Sequence, residues 1–169
     1  LDVTEGVGGT GVVAMAGNGE GPLILLRADM DGLPMPEKTG LDYASTATQV
    51  GQDGTQYPVM HACGHDTHVA MLMGAAEVLA GMRKSLHGSV KFIFQPAEEG
   101  PPPGEEGGAE LMVKEGVMED VDAVFGLHIS AGTYVGNINY RPKGRMAAVD
   151  DFRIVLNGKQ AHGSAPWLG

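Results

Sequence analysis

Pro22-Leu23-Ile24-Leu25-Leu26-Arg27-Ala28 runs directly into Asp29-Met30-Asp31-Gly32-Leu33-Pro34. A near-continuous apolar run of this length suits a β-strand covered on both faces, the kind found in parallel sheets. It ends in two carboxylates, Asp29 and Asp31. Carboxylates after a buried strand are costly unless something pairs with them, although turn capping would also account for them.

Working outward, residues 1–21 read as a Gly-rich pair of short strands, with Gly11-Val12-Val13-Ala14-Met15-Ala16 as one of them. Residues 34–58 show no clear periodicity and read as a long loop, with turn signals at Thr39-Gly40 and Asp53-Gly54. Asp66 or Thr67 is placed to cap a helix that runs to about Gly81. Val69, Leu72, Met73, Ala76, Leu79 and Ala80 recur along it at helical spacing, which marks a core-facing stripe. Val90-Lys91-Phe92-Ile93-Phe94 is a strand ending in Gln95-Pro96-Ala97-Glu98-Glu99-Gly100. A Pro/Gly/Glu loop, a short helix over 109–115 stopped by Gly116, and the strand Val121-Asp122-Ala123-Val124-Phe125-Gly126-Leu127 follow, with His128 at its end.

Strand, helix, strand, helix, strand is the pattern of an α/β fold with a largely parallel sheet. Such sheets bind ligands beyond the C-terminal ends of their strands. Asp29, Asp31, Glu98, Glu99 and His128 all follow strand ends, so the topology predicts that they converge on one edge. From Val149 the texture changes, and Asp151-Phe152-Arg153-Ile154-Val155-Leu156-Asn157-Gly158 reads as a strand outside the first domain. A boundary near Ala147 gives one domain over 1–147 and the first strand and loop of another over 148–169.

The metal-binding expectation rests on Met60-His61-Ala62-Cys63-Gly64-His65-Asp66-Thr67-His68, which holds three of the six histidines and the only cysteine. Cys63 and His65 offer a thiolate and an imidazole within reach of one ion. With His128 and one of Glu98 and Glu99, the donor set suits a divalent ion such as Zn, Mn, Ni or Co. An adjacent carboxylate left off the metal is a natural base for a water made acidic by the ion. Each piece alone has a plainer reading: a Glu pair in a loop is usually solvated, and His128 is as readily a satisfied core histidine. His61 and His68 are as readily structural or supporting as ligating, and His87 reads as a loop residue.

The bulk composition excludes several classes. A formal charge of −10 argues against nucleic acid and anionic membranes as partners. A single Cys allows no internal disulfide framework. The longest apolar-rich stretch, residues 69–82, is too short for a membrane span and contains Glu77. The chain opens on Leu1 and closes at Leu168-Gly169 without a finishing element, which reads as a fragment, and a cytoplasmic location is the expectation.

Five ordered motifs carry a resemblance. Leu26-Arg27-Ala28-Asp29-Met30-Asp31, Met60-His61-Ala62-Cys63-Gly64-His65-Asp66, Phe94-Gln95-Pro96-Ala97-Glu98-Glu99-Gly100, Gly126-Leu127-His128 and Gly158-Lys159-Gln160-Ala161-His162-Gly163-Ser164-Ala165-Pro166 resemble the M20 metallopeptidases. The branch is that of the hippurate hydrolase and indole-acetyl-amino-acid hydrolase amidohydrolases. The resemblance implies a zinc-exopeptidase-like catalytic domain with an inserted α+β lid that dimerises. It implies Cys63, His65, Glu99 and His128 as metal ligands, Glu98 as general base and Asp31 as a supporting aspartate. Asp29 falls where other branches place a histidine ligand, and Gly32 stands where this branch usually has Ala. His162 matches a lid histidine that serves the substrate carbonyl of the partner subunit. The family draws a further histidine ligand from beyond Gly169, so this stretch alone is expected to be inactive.

The expected activity is hydrolysis of the amide bond of N-acyl amino acids, with a homodimer or higher homo-oligomer formed through the lid. A dipeptidase or an N-acetyl-diaminopimelate deacetylase shares the motifs. A metal-binding or dimerisation module without turnover is the rival of another class, and Glu98 beside Glu99 speaks against it.

Overall fold

A computed structural model describes residues 1–148, 150 and 152–169. It divides into two compact units, Leu1–Gly132 and Thr133–Gly169.

The first unit is an α/β fold. The run that opens at Pro22 forms β3 (Leu23–Asp29), after β1 (Asp2–Val7) and β2 (Gly11–Gly17). Next come β4 (Thr48–Val50), β5 (Gln56–Pro58), α1 (His65–Gly81), β6 (Ser89–Gln95), α2 (Gly108–Lys114) and β7 (Ala123–Gly126). The five-stranded sheet has the order β1-β2-β6-β3-β7. β6 and β7 flank β3 and run parallel to it, while β1 and β2 are antiparallel additions at one edge. The chain leaves β3 for β6 on one side and then returns past it to β7 on the other. That makes the C-terminal end of β3 a topological switch point, where the crevice of an α/β sheet opens. β4 and β5 form a separate two-stranded ribbon.

Alternation along the strands assigns the two faces of the sheet. Ala14, Ala16, Ala28 and Phe92 pack with Leu72 and Ala76 of α1, while Leu25 and Ile93 pack with Met112 of α2 and the following Val117. Small alanines on the α1 side leave room for the helix to lie close.

Sequence and structure part company at several places. Neither Asp66 nor Thr67 caps α1, because the helix starts at His65, two or three residues earlier than a cap at either position would require. Gly64, at φ 81°, is its N-cap and makes no side-chain cap bond. Asp66 sits instead in the first turn, where its charge favours the helix dipole. Met73, expected in the core stripe, is exposed. The buried stripe is His65, His68, Leu72 and Ala76, so the two histidines are the first members of the apolar face. The stretch read as a long loop over 34–58 contains the β4–β5 ribbon. Its ends are joined by a bridge in which the N–H of each of Leu33 and Met60 donates to the other's carbonyl. That bridge brings Gly32 beside Met60 and His61.

In the second unit the strand expected over 151–158 is not formed at residues 152–158, and Val149 and Asp151 lie outside the described residues. A strand exists only through a ladder to a neighbour, and among the described residues none pairs with this segment. Phe152, Ile154, Val155 and Leu156 are exposed there. A 3₁₀ turn at Pro166–Leu168 is the regular element of this unit. The unit begins at Thr133, ahead of the boundary read near Ala147. No helix among the described residues is long and apolar enough to cross a membrane.

Candidate metal centre

Three strand ends and one helix start meet at the switch point. β3 delivers Asp29 and Asp31, the turn after β6 delivers Glu98 and Glu99, the segment after β7 delivers His128, and the approach to α1 delivers Cys63 and His65. Ala97, immediately before the two glutamates, adopts a left-handed backbone (φ 48°). For a residue with a Cβ that conformation costs about 1–3 kcal/mol and collects at functional sites.

His65 is the hub. It is fully buried, and both of its ring nitrogens lack a hydrogen-bond partner. Nε2 lies 3.7 Å from Asp29, 3.8 Å from Glu98 and 3.8 Å from Glu99, while Nδ1 lies 3.4 Å from Asp31. An imidazole buried without partners among four carboxylates is costly as it stands, about 1–3 kcal/mol for each unmet polar group. A divalent cation removes that cost by accepting a nitrogen lone pair and offsetting the carboxylate charge.

Two donor groups around His65 suit an ion: Cys63, His65 and His128, and His65, Glu98 and Glu99, with ligand atoms within 4.8 Å of one another in each. His128 is prepared for the role. Its Nδ1 lies 2.7 Å from the Ile129 carbonyl, which can only accept, so the proton is on Nδ1 and Nε2 keeps its lone pair. Nε2 in turn faces Cys63 Sγ at 3.3 Å. Burial, then the hydrogen bond and charge of Glu99, then the charges of Glu98 and Asp29, push the Cys63 thiol up to about 11. A cation reverses that balance, since it binds the thiolate directly. The residues present fit a divalent ion.

Asp31 ties the cluster together. Its Oδ2 accepts the Glu99 backbone N–H at 2.8 Å, and its other oxygen is the one beside His65 Nδ1. Asp29 is engaged elsewhere, with Oδ2 bonded to Arg27 at 2.6 Å and Oδ1 to His68 Nδ1 at 2.5 Å. Burial raises the Asp29 pKa, but the hydrogen bond from His68 and the charges of Arg27, His65 and His68 outweigh it and hold the carboxyl below its ordinary value. His61 is exposed and bounds a half-open cavity of about 590 Å³ with Glu37, Tyr43, Met60 and Asp66.

Cys63, His65, Glu98, Glu99, His128 and Asp31 are therefore brought together. His162 belongs to the second unit, where it is exposed and its Nδ1 accepts the Ser164 backbone N–H at 3.2 Å. Arg27 and the Ile129 N–H were missed by sequence reasoning. Arg27 carried a signal, standing two residues before Asp29 and hence on the same strand face. The Ile129 contribution is a backbone group and carried none.

Comparisons with known proteins identify the family. The sequence profile of peptidase family M20/M25/M40 matches residues 25–167. The chain is 46% identical over 168 residues to thermostable carboxypeptidase 1 of Saccharolobus solfataricus, covering 98% of this chain and 40% of that protein. It is 44% identical to an N-acetyl-L-cysteine deacetylase of Bacillus subtilis (95% of this chain, 35% of that protein). It is 42% identical to an IAA-amino acid hydrolase of Arabidopsis thaliana (93% and 33%). Among solved structures, a dinuclear metal-binding peptidase of the M20 family from Bacillus subtilis superposes with a TM-score of 0.60 at 43% identity, covering 72% of this chain and 30% of that one. The chain thus spans no more than 40% of the length of these curated relatives. A buried imidazole hub, a Cys-x-His pair and twin glutamates at a sheet's switch point, together with the profile match, place this chain in peptidase family M20/M25/M40.

Proposed function

We propose that the protein is a metal-dependent hydrolase of the amide bond of N-acyl amino acids. Cys63, His65, Glu99 and His128 would hold one or two divalent ions, Zn, Mn, Ni or Co. Such an ion, when bound, supplies Lewis acidity to a water molecule and to the substrate carbonyl.

The chain's own residues do the rest. Glu98 takes a proton from the attacking water as its oxygen joins the carbonyl carbon. It then returns the proton to the departing amine as the C–N bond breaks, which yields a carboxylic acid and an amino acid. Asp31 holds His65 and the Glu99 backbone in place. His162 would come from the lid of a second copy. With Nδ1 accepting from Ser164, its proton is on Nε2, free to donate to the oxyanion. A lid beginning near residue 148 and dimerisation through it belong to this same reading.

The observation that carries the reading is the pair of glutamates, each with a carboxylate oxygen 3.8 Å from His65 Nε2, where one suffices as ligand. The deacetylase and the IAA-amino acid hydrolase among the relatives favour an N-acyl amino acid as substrate. A carboxypeptidase or dipeptidase is the second reading, favoured by the likeness to the Saccharolobus carboxypeptidase.

The test is Glu98→Gln in the full-length protein. Hydrolysis is expected to fall by about 10²–10⁴-fold with metal content unchanged. Undiminished turnover sinks the proposed base. Acetyl, indole-acetyl and hippurate conjugates run beside dipeptides separate the two substrate readings.

A further inference from the structure

Asp29, His65 and His68 form a third buried group whose ligand atoms lie within reach of one cation. Its hydrogen bonds point to a different use. Ile129 N–H donates to His68 Nε2 at 2.9 Å, so that nitrogen carries the lone pair and the proton lies on Nδ1. Nδ1–H then donates to Asp29 Oδ1, and Asp29 Oδ2 is held by Arg27. Both nitrogens of His68 are engaged in hydrogen bonds, and each oxygen of Asp29 already accepts one.

We propose that His68 is a positioning residue for the ligand His128, acting through the backbone of Ile129. Ile129 is gripped at both ends of its backbone. Its N–H is held by His68, and its carbonyl accepts the Nδ1–H that leaves His128 Nε2 bare. The two rings stand edge to face with centroids 4.7 Å apart. His65 and His68 are three residues apart on the buried face of α1, so one helix carries a ligand and the strut for another. Arg27, Asp29, His68 and Ile129 form one line of polar contacts from β3 to the segment after β7. It fixes the backbone on which His128 rides. Partners of this kind, behind a ligating histidine, set ring orientation and ligand basicity.

The proposal rests on the reading of His128 as a metal ligand, and the test separates the two. The probe is Co²⁺ alone, titrated into the metal-stripped full-length protein and followed by its d–d absorption. His68→Phe occupies similar space but offers neither donor nor acceptor. It is expected to weaken Co²⁺ binding roughly 10–100-fold and to shift the absorption band. His68→Gln has one donor and one acceptor to place between Asp29 and Ile129, and is expected to recover most of both. Equal affinity and spectrum for wild type and His68→Phe overturn the positioning role. A wild-type protein that takes up no Co²⁺ overturns the metal reading and this proposal with it. Long-range proton–nitrogen NMR of the wild-type imidazoles needs no variant to fold. A His68 proton on Nδ1 with Nε2 bare supports the proposal, and a proton on Nε2 overturns it.

Discussion

Asp31 Oδ2 accepts the backbone N–H of Glu99 at 2.8 Å, which joins the end of β3 to the turn after β6. The same carboxylate lies beside His65 Nδ1 through its other oxygen, so one side chain sets two members of the metal cluster. Asp31→Ala is expected to lower Zn²⁺ affinity of the full-length protein by roughly 10–100-fold. Asp31→Asn keeps an acceptor for Glu99 but loses the charge opposite His65, and should fall between Asp31→Ala and wild type. Equilibrium dialysis checks the order, and equal losses for Asn and Ala would show that the hydrogen bond to Glu99 contributes nothing.

The environment of Asp29 predicts a pH signature. Its carboxyl titrates below the ordinary value of 3.8, so between the two values the folded state binds fewer protons than the unfolded chain. The stability this gives is complete above the ordinary value and disappears as pH falls through the lower folded one. Asp29→Asn is expected to cost about 1.5–3 kcal/mol at neutral pH, the scale of hydrogen bonds to a charged group. The gap from wild type should close as pH drops below about 4. Urea denaturation of both proteins across that window provides the check, and a gap independent of pH contradicts the assignment.

Burial and the neighbouring glutamates push the Cys63 thiol up to about 11, so the metal-free protein should resist alkylation at neutral pH. The rate of reaction with iodoacetamide should climb steeply only well above the ordinary thiol range, since thiolate is the reactive form. Glu99→Gln removes the second cause of the shift and should move the rate profile to lower pH. An unshifted profile in that variant rules out the glutamate's part.

How much of this was legible in the sequence depends on the range of the interaction. The strands and α1 announce themselves through runs and spacings only a few residues long. The motif residues fell at strand ends, so topology alone predicted their convergence. The Asp29–His68 bond spans 39 positions, and nothing local to either residue indicates it. Met73 has the spacing of the core stripe yet faces away, because the buried arc of α1 is narrow and centred on His65, His68, Leu72 and Ala76. The β4–β5 ribbon was hidden because three-residue strands carry too few alternations to show a period.

Gly64 combines a left-handed backbone with a neighbour too close for any side chain. A Cβ there would overlap the Ile129 side chain. Gly64→Ala is expected to destabilise the protein by about 1–2 kcal/mol from backbone strain alone, plus the displacement of Ile129. Adding Ile129→Ala, which removes both Cδ1 and Cγ1, should recover the steric part and leave the strain. Thermal melts of the single and double variants measure the two parts, and full recovery would mean that φ at residue 64 costs nothing.

The Leu33–Met60 bridge closes residues 34–59 into an excursion with a fixed base. Whatever happens at its far end, the spacing between Asp31 and Cys63 is set at the pinch. Doubling the length of such a closed segment adds only about 0.6 kcal/mol of closure entropy. The turn at Asp53-Gly54, exposed at the tip of the β4–β5 ribbon, is therefore a natural graft point. A reporter peptide or affinity tag inserted there should leave the metal cluster undisturbed, which makes this protein a scaffold that can be extended far from its chemistry.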